Sequence, residues 1–145
     1  MLFGEYAPLD RIGAAARAGF DAVEFLFPYE FSVADIRSRL EDTGLRLNHL
    51  NTLPGDTFGL AAQAGQEAAF QKAFDQALDY AVQLGALTIH CMSGVVAPQD
   101  RPRAREVFLR NMTAASGKAA GTGVGGPITT QLITTSTVTT PTVSG

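Results

Sequence analysis

Between residues 8 and 118, the spacing of apolar positions switches repeatedly between a helical and a strand period. A first helix is predicted over residues 8–19, where apolar residues recur at helical spacing and a glycine, Gly19, ends the pattern. The next eight residues, Phe20–Phe27, form an almost continuous apolar run. A run of this kind is typical of a strand that is buried on both faces, as in a parallel sheet covered by helices.

The same alternation of helix, glycine and short apolar strand occurs twice more along the chain. The further predicted elements are a helix beginning at Ser32 with a capping-box-like Asp35, a strand over Leu45–Asn51, a loop to about Gly65, a helix over Gln66–Leu84, a strand over Ala86–Met92 and a helix over residues 102–115. Repeated units of this type predict parallel strands joined by right-handed crossovers, and therefore an α/β fold.

Within the α/β class, we expect the parallel βα units to belong to a TIM (β/α)8 barrel, because polar residues collect at the strand ends. A doubly wound sheet is the alternative. It is disfavoured because the first βα turn lacks a glycine-rich phosphate fingerprint. Met1-Leu2-Phe3 is interpreted as the end of one further strand.

The composition changes abruptly after Lys118. All 25 charged residues lie at or before this position, and nine of the residues in the segment 119–145 are threonine. We therefore predict a partial TIM-barrel domain over residues 1–118 and an irregular Thr/Gly-rich, uncharged tail over 119–145. The favoured interpretation is that this tail is aberrant, for example translated out of frame, and poorly ordered. A β-prone linker and a genuine but unusual tail are the alternatives.

Charge and cysteine content narrow the class of partner. A net charge of −3 and a pI near 5.2 argue against a nucleic-acid binder, and the arginines near residues 101–110 are expected to form a solvated helix face. One cysteine, Cys91, fits a reducing compartment, where it is expected to be a small buried hydrophobe. Neither an export leader nor a membrane span is recognised, so a cytoplasmic protein without a membrane partner is expected.

Candidate chemistry lies at the ends of the predicted strands, which converge on one mouth in a parallel barrel. Glu24, Asn51 and His90 are the candidates. A charge at Glu24 inside a buried strand requires either an ion-pair partner or a polar cavity. Asn51 could instead cap its loop, and His90 could be a hydrogen-bonded core histidine. His49 could face either the helices or the barrel interior. No metal-binding, nucleophile-elbow or paired-cysteine motif is present.

Three stretches resemble the hydroxypyruvate isomerase family, whose members are sugar isomerases with a xylose isomerase-like TIM barrel. They are the segment Asp21-Ala22-Val23-Glu24-Phe25-Leu26-Phe27-Pro28-Tyr29, the segment Leu50-Asn51-Thr52-Leu53-Pro54-Gly55-Asp56 and the segment Ile89-His90-Cys91-Met92-Ser93-Gly94. The resemblance covers about four fifths of this chain but only about half of a barrel of roughly 250 residues. It implies a truncated or frameshifted amino-terminal half.

The resemblance implies an intramolecular aldose–ketose isomerase that interconverts hydroxypyruvate and tartronate semialdehyde. Two carboxylates would move a proton through an enediolate, and a divalent metal is possible in the full-length family. The family's two glutamates lie on later strands. The first of these strands corresponds to Val124–Leu132, which contains no acidic residue, and the second lies beyond Gly145. No catalytic residue and no metal ligand can therefore be assigned, and this chain alone is expected to be inactive.

Glu24, Asn51 and His90 are expected to line a binding site for a small hydroxy or oxo acid. Two alternatives stay open for the function. One is an isomerase of a longer acid, 2-oxo-tetronate, and the other is a non-catalytic α/β binding fragment. The open sheet edges of a half-barrel also predict self-association.

Overall fold

A computed structural model describes residues 3–124, which form a three-stranded parallel sheet in the order β1-β2-β3 with helices packed against it. The elements are α1 (Asp10–Arg17), β1 (Ala22–Glu24), α2 (Val33–Thr43), β2 (Arg46–Asn51), α3 (Glu67–Leu84), β3 (Thr88–His90) and α4 (Arg101–Ala119), with 3-10 turns at Gly55–Thr57 and Pro98–Asp100. Each strand lies beside the next one in the sequence. The predicted α/β class with parallel βα units is confirmed.

The predicted helix boundaries are close to the observed ones because local signals fix them. The Ser32 hydroxyl accepts a hydrogen bond from the Asp35 backbone N–H at 3.1 Å and donates one to the Asp35 carboxylate at 2.6 Å, which caps α2. Gly44 and Gly85 end α2 and α3 with φ angles of +70° and +67°, which glycine adopts without a steric penalty. The fourth helix is longer than predicted and runs through Gly117 to Ala119.

The core lies between the sheet and the helices. Leu47, Leu50 and Ile89 on the strands are at most 3% exposed, and Phe70 and Phe74 on α3 are fully buried beside them. The two phenylalanine rings stack with their centroids 6.1 Å apart. Burial of such side chains is worth about 1.5–3 kcal/mol each. One face of the sheet therefore packs against the helices through apolar side chains.

The prediction of a long first strand, buried on both faces, is wrong. β1 covers only Ala22–Glu24 of the predicted Phe20–Phe27, and Glu24 at its end is exposed. Phe20 and Phe27 are 47% and 38% exposed. Within residues 3–124, β1 pairs only with β2, so it is an edge strand whose outer side has no neighbour. β3 covers only Thr88–His90 of the predicted Ala86–Met92.

Two further predictions, the extra strand at residues 1–3 and the irregular tail at residues 119–145, concern the two ends of the described region. Phe3 lies in a turn with a φ angle of +59° rather than in a strand, and Met1 and Leu2 lie outside the described residues. Val124 is 9% exposed and packs in the core. The rest of the predicted tail, residues 125–145, also lies outside, so its aberrant or disordered character stays a prediction. No helix between residues 3 and 124 is long and apolar enough to cross a bilayer.

The loops after β2 and β3 are joined by their backbones. Gly59 forms an antiparallel bridge with Ser93, and Met92 accepts hydrogen bonds from the backbone N–H groups of Leu60 and Ala61, both at 3.0 Å. A Cβ atom on Gly59 would overlap the backbone of Met92 and of residue 94. Glycine is therefore required at position 59 by close approach as well as by its φ angle of +142°. This contact fixes the two loops that follow the polar strand ends.

Replacement of Gly59 by alanine should lower the free energy of unfolding by about 2–4 kcal/mol, because overpacking adds to an unfavourable φ angle. Gly65→Ala is the matched control, since Gly65 has a φ angle of +84° but no atom within 4 Å of the added Cβ. The control should lose only the conformational cost, about 1–2 kcal/mol. Urea denaturation measures both losses, and equal losses would show that the loop contact contributes nothing.

Candidate functional site

The residues of the candidate site share the face of the sheet that is opposite the core, called here the polar face. In the parallel ladders Glu24 pairs with His49, His49 with Thr88, and Asn51 with His90. Register partners on neighbouring strands project to the same side of a sheet. The structure therefore brings the three predicted residues Glu24, Asn51 and His90 to one face and adds His49 and Thr88 to them.

An irregularity in β2 explains why His49 lies on the polar face. Val23 pairs with Leu47, but the next residue of β1, Glu24, pairs with His49, so Asn48 is an extra residue in β2. Such a bulge shifts the alternation of side chains by one position. Leu47 and Leu50 consequently both face the core. The orientation of His49, which sequence alternation left open, is thereby settled.

Asn51 is held from three sides and presents one free polar atom. Its backbone N–H donates to the Leu26 carbonyl at 2.8 Å, and its carbonyl accepts a hydrogen bond from the Tyr29 phenol. Its side-chain amide nitrogen lies 4.0 Å from the Met92 sulfur. Asn51 is 6% exposed, and its Oδ1 is buried without a hydrogen-bond partner. This side chain makes no bond that caps the loop, and it offers a fixed acceptor instead.

The Tyr29 phenol is a permanent donor in this arrangement. Burial raises the pKa of Tyr29 well above its usual range, and Cys91 and Tyr80 raise it further. The hydroxyl therefore stays protonated at all physiological pH values. It ties the loop after β1 to the end of β2, which holds the Asn51 backbone in place.

His90 lies beside Asn51 in register and also carries a free atom. Its carbonyl accepts a hydrogen bond from the Thr52 backbone N–H at 2.9 Å, and its ring Nε2 is buried without a partner. Desolvation lowers the pKa of His90, and the neighbouring His49 lowers it further. The His90 imidazole is consequently neutral at pH 7. The expectation of a hydrogen-bonded core histidine is not met for this ring nitrogen.

His49 contacts both β3 residues of the polar face. Its ring stacks on the His90 ring, with centroids 5.8 Å apart and planes inclined by 30°. Its Nδ1 lies 2.8 Å from the Thr88 hydroxyl oxygen, which also donates to the Asn48 carbonyl at 3.1 Å. The ring is thus held by stacking on one side and by a hydrogen bond on the other.

Glu24 differs from its predicted environment. It is exposed, and no ion pair or hydrogen bond to its carboxylate occurs within residues 3–124. The premise of a buried charge that needs a partner is therefore wrong, because the edge position of β1 leaves the carboxylate in water. Glu24 keeps its place on the polar face next to His49.

The described residues do not form a metal site. Between residues 3 and 124 no three His, Cys, Asp or Glu side chains lie close enough together to hold an ion. Cys91 is fully buried, and burial raises the pKa of its thiol to about 12, so the thiol is protonated at neutral pH. Its predicted role as a small buried hydrophobe is confirmed. A divalent metal would need ligands from outside this part of the chain.

Three hydroxyl-bearing residues that support the site were missed in the sequence. Tyr29 holds the Asn51 carbonyl, Thr88 holds His49, and Thr52 accepts a hydrogen bond from the Met92 backbone N–H at 3.3 Å. Each contact joins residues that are far apart along the chain. The spacing of residues along the sequence does not indicate these contacts, although it does place the three residues in or next to predicted strands.

A cavity of about 370 Å³ lies beside this site rather than in it. It is formed by the loops after β2 and β3 and by the start of α4, and its charged residues are Asp100 in the 3-10 turn and Arg103 in the first turn of α4. None of the polar-face residues lines it.

The arginines of α4 are exposed as predicted, and Arg110 lies 3.6 Å from Glu67.

The lowered pKa of His90 makes stability depend on pH. Because the unfolded state binds a proton more readily than the folded state, the free energy of unfolding should be highest above the unfolded pKa of about 6.5 and should fall as the pH decreases through it. Replacement of His90 by glutamine should remove this part of the slope between about pH 7.5 and pH 5. Urea titrations at several pH values measure the slope, and an unchanged slope in His90→Gln would contradict the assignment.

Comparison with known proteins places this geometry in a family. The model of the xylose isomerase-like TIM barrel family matches residues 12–133. A 2-oxo-tetronate isomerase of Cupriavidus necator is 46% identical over 129 residues, which is 86% of this chain and 50% of that protein. A putative hydroxypyruvate isomerase of Mus musculus is 39% identical over 145 residues, 90% of this chain and 52% of that protein.

A solved structure agrees with the sequence relatives. The crystal structure of AP endonuclease, family 2 from Brucella melitensis has a TM-score of 0.81 and 39% identity, and covers 88% of this chain and 50% of that one. The chain spans about half the length of the curated relatives it matches. The parallel strands, the polar strand ends and the family match agree, and the chain belongs to the xylose isomerase-like TIM barrel family.

Proposed function

We propose that the polar face is the substrate-binding part of a sugar-acid isomerase and that it binds a small hydroxy or oxo acid through Glu24, Asn51 and His90. Support comes from relatives that are named isomerases of 2-oxo-tetronate and of hydroxypyruvate. It also comes from the position of the polar face at the carboxyl ends of the strands, where ligands bind in barrels of this type.

The two free buried atoms carry this proposal. Asn51 Oδ1 and His90 Nε2 are buried without partners and belong to side chains that are neighbours in register. An unsatisfied buried polar group costs about 1–3 kcal/mol, so two adjacent ones lower the stability of the free protein. A ligand hydroxyl between them, which can donate to the Asn51 amide oxygen and also bond to the His90 ring nitrogen, would recover that cost. A buried pair of this kind therefore favours a binding site over a structural role.

A four-carbon substrate, 2-oxo-tetronate, is favoured over hydroxypyruvate. The supporting observation is the 46% identity to the 2-oxo-tetronate isomerase of Cupriavidus necator, with 38% identity to the one of Haemophilus influenzae. Hydroxypyruvate is the second candidate, supported by the 39% identity to the Mus musculus protein. Both substrates belong to the same class, and both would undergo the same proton transfer.

The 145-residue chain alone is proposed to bind substrate without converting it. Proton transfer through an enediolate requires one group to remove a proton and another to return it. On the polar face of β1, β2 and β3, Glu24 is the one carboxylate. A carboxylate pair of the kind that this proton transfer uses is therefore not complete on these three strands.

Calorimetric titration of the chain with 2-oxo-tetronate should show binding, and Asn51→Leu should weaken it by about tenfold or more. The matched control is Asn111→Leu, because Asn111 is also a buried asparagine but donates to the Ala61 carbonyl at 2.9 Å, away from the polar face. The control should lose stability and keep its affinity. Absence of binding, or turnover of 2-oxo-tetronate by the chain alone, would contradict the proposal.

We also propose that the chain self-associates. Within residues 3–124 the outer edges of β1 and β3 have no strand partner, and Phe58 and Leu87 are 68% and 51% exposed. Unpaired strand edges and exposed apolar side chains favour association between copies. Light scattering after size-exclusion chromatography should give a mass above the 15.3 kDa of one chain. A stable monomer at micromolar concentration would count against this proposal.

A cytoplasmic location without a nucleic-acid partner is proposed on two grounds. Cys91 is a free, buried thiol, as is usual in reducing compartments. The net charge of −3 and the exposed, partly paired arginines of α4 provide no strong attraction for a polyanion. Retention on heparin at physiological salt would contradict the second statement, and recovery of the protein from an exported fraction would contradict the first.

A further inference from the structure

We propose that His49, fixed in one tautomer by Thr88, recognises a substrate hydroxyl and makes the polar face selective for acids with several hydroxyl groups. The inference rests on the proposed function, which it deepens by naming the specificity-determining residue and the chemical class of the substrate. The observations behind it are the hydrogen bonds of Thr88, the stacking of the two imidazoles and the acceptors that the polar face presents.

The tautomer follows from the hydrogen bonds of Thr88. A threonine hydroxyl carries one proton, and the Asn48 carbonyl, 3.1 Å away, can only accept it. For both contacts of this hydroxyl to be hydrogen bonds at once, the imidazole has to donate the 2.8 Å contact from His49 Nδ1. In the neutral ring the proton lies on Nδ1, and Nε2 carries the lone pair. Thr88 is therefore a positioning residue for His49.

The free nitrogen of His49 is available to a ligand. No hydrogen bond to His49 Nε2 occurs within residues 3–124, and the ring lies on the polar face. Stacking against His90 at 5.8 Å restrains rotation of the ring. The result is an acceptor with a fixed direction, which is the property that distinguishes a recognition group from a flexible surface side chain.

Asn51 adds a second fixed acceptor. The Met92 sulfur is an acceptor, so the amide NH2 group of Asn51 is the end that lies toward it at 4.0 Å. The amide oxygen is consequently the atom left free, as its lack of a partner shows. The Glu24 carboxylate, which pairs in register with His49, is a third acceptor on the same face.

An array of acceptors selects for donors. Hydroxyl groups can donate to His49 Nε2, Asn51 Oδ1 and Glu24, whereas a substrate carboxylate can only accept and would be repelled by Glu24. The polar face therefore suits the hydroxyl-bearing end of a sugar acid and not its carboxylate end. A four-carbon 2-oxo acid has two hydroxyl groups beyond its carbonyl and hydroxypyruvate has one, so the longer acid is the better match. A site built to bond a hydroxyl discriminates strongly against an analogue that lacks it.

The tautomer can be observed directly. Long-range proton–nitrogen correlation spectra of the labelled chain at pH 8 should show His49 with a protonated Nδ1 and an unprotonated Nε2. Thr88→Val should convert His49 to a mixture of tautomers, and Thr88→Ser, which retains the hydroxyl, should restore the original pattern. A wild-type chain with the proton on Nε2 would overturn the proposal. A purely structural role for Thr88 would leave the tautomer unchanged in Thr88→Val.

Selectivity is tested by titration with threonate, a four-carbon acid with hydroxyls at each carbon beyond the carboxylate, and with 2-hydroxybutanoate, which lacks the outer two. The wild-type chain should bind threonate more tightly. His49→Phe, which keeps a stacking ring but removes the acceptor, should weaken threonate binding roughly three- to tenfold and leave 2-hydroxybutanoate binding unchanged. This variant does not depend on whether Thr88→Val folds.

The outcomes separate this inference from the proposed function. Equal affinities of the wild-type chain for the two acids, or an equal loss for both in His49→Phe, would overturn the hydroxyl selectivity while leaving the acid-binding function intact. Failure of the folded wild-type chain to bind either acid or 2-oxo-tetronate would overturn both.

Discussion

The extra residue at Asn48 determines which side chains of β2 face the core and which face the ligand. β1 pairs with β2 at Leu47 and again at His49, so Asn48 between them has no partner in β1. As a result, Leu47 and Leu50 both pack against the helices, and His49 and Asn51 lie on the opposite face. A shift of one residue in a strand exchanges its two faces. Without the bulge, the same six residues could not supply two core leucines and two polar-face residues in this arrangement.

The polar face contrasts with the core in how it is stabilised. The core is stabilised by contacts between apolar side chains. On the polar face, in contrast, Asn51 Oδ1 and His90 Nε2 are buried without hydrogen-bond partners. The surrounding hydrogen bonds from Tyr29 and Thr52 are what hold these two residues in place despite that cost. A binding site usually contains polar groups that lower the stability of the free protein, and a rigid surrounding shell holds these groups in place. The neutral charge state of His90 follows from the same burial.

The sequence predicted the parts of the fold that local signals determine. Ser32 with Asp35, Gly44 and Gly85 marked helix boundaries, and the three strands were found in their correct order. The sequence could not show that, among residues 3–124, β1 has a strand neighbour on one side only, and the expected burial of Glu24 was wrong as a result. The orientation of His49 was left open because a bulge cannot be recognised from simple alternation of apolar and polar residues. Thr88 was missed because its contact is made across 39 residues of sequence.

The central claim is that a ligand binds on the polar face of the sheet. It is tested most directly by nuclear magnetic resonance of the isotope-labelled chain during titration with 2-oxo-tetronate. The account predicts that the largest shifts occur in the side chains of His49, Asn51 and His90. Shifts confined to the residues around the neighbouring cavity, such as Gln63, Val95 and Arg103, would place the ligand elsewhere and contradict the account.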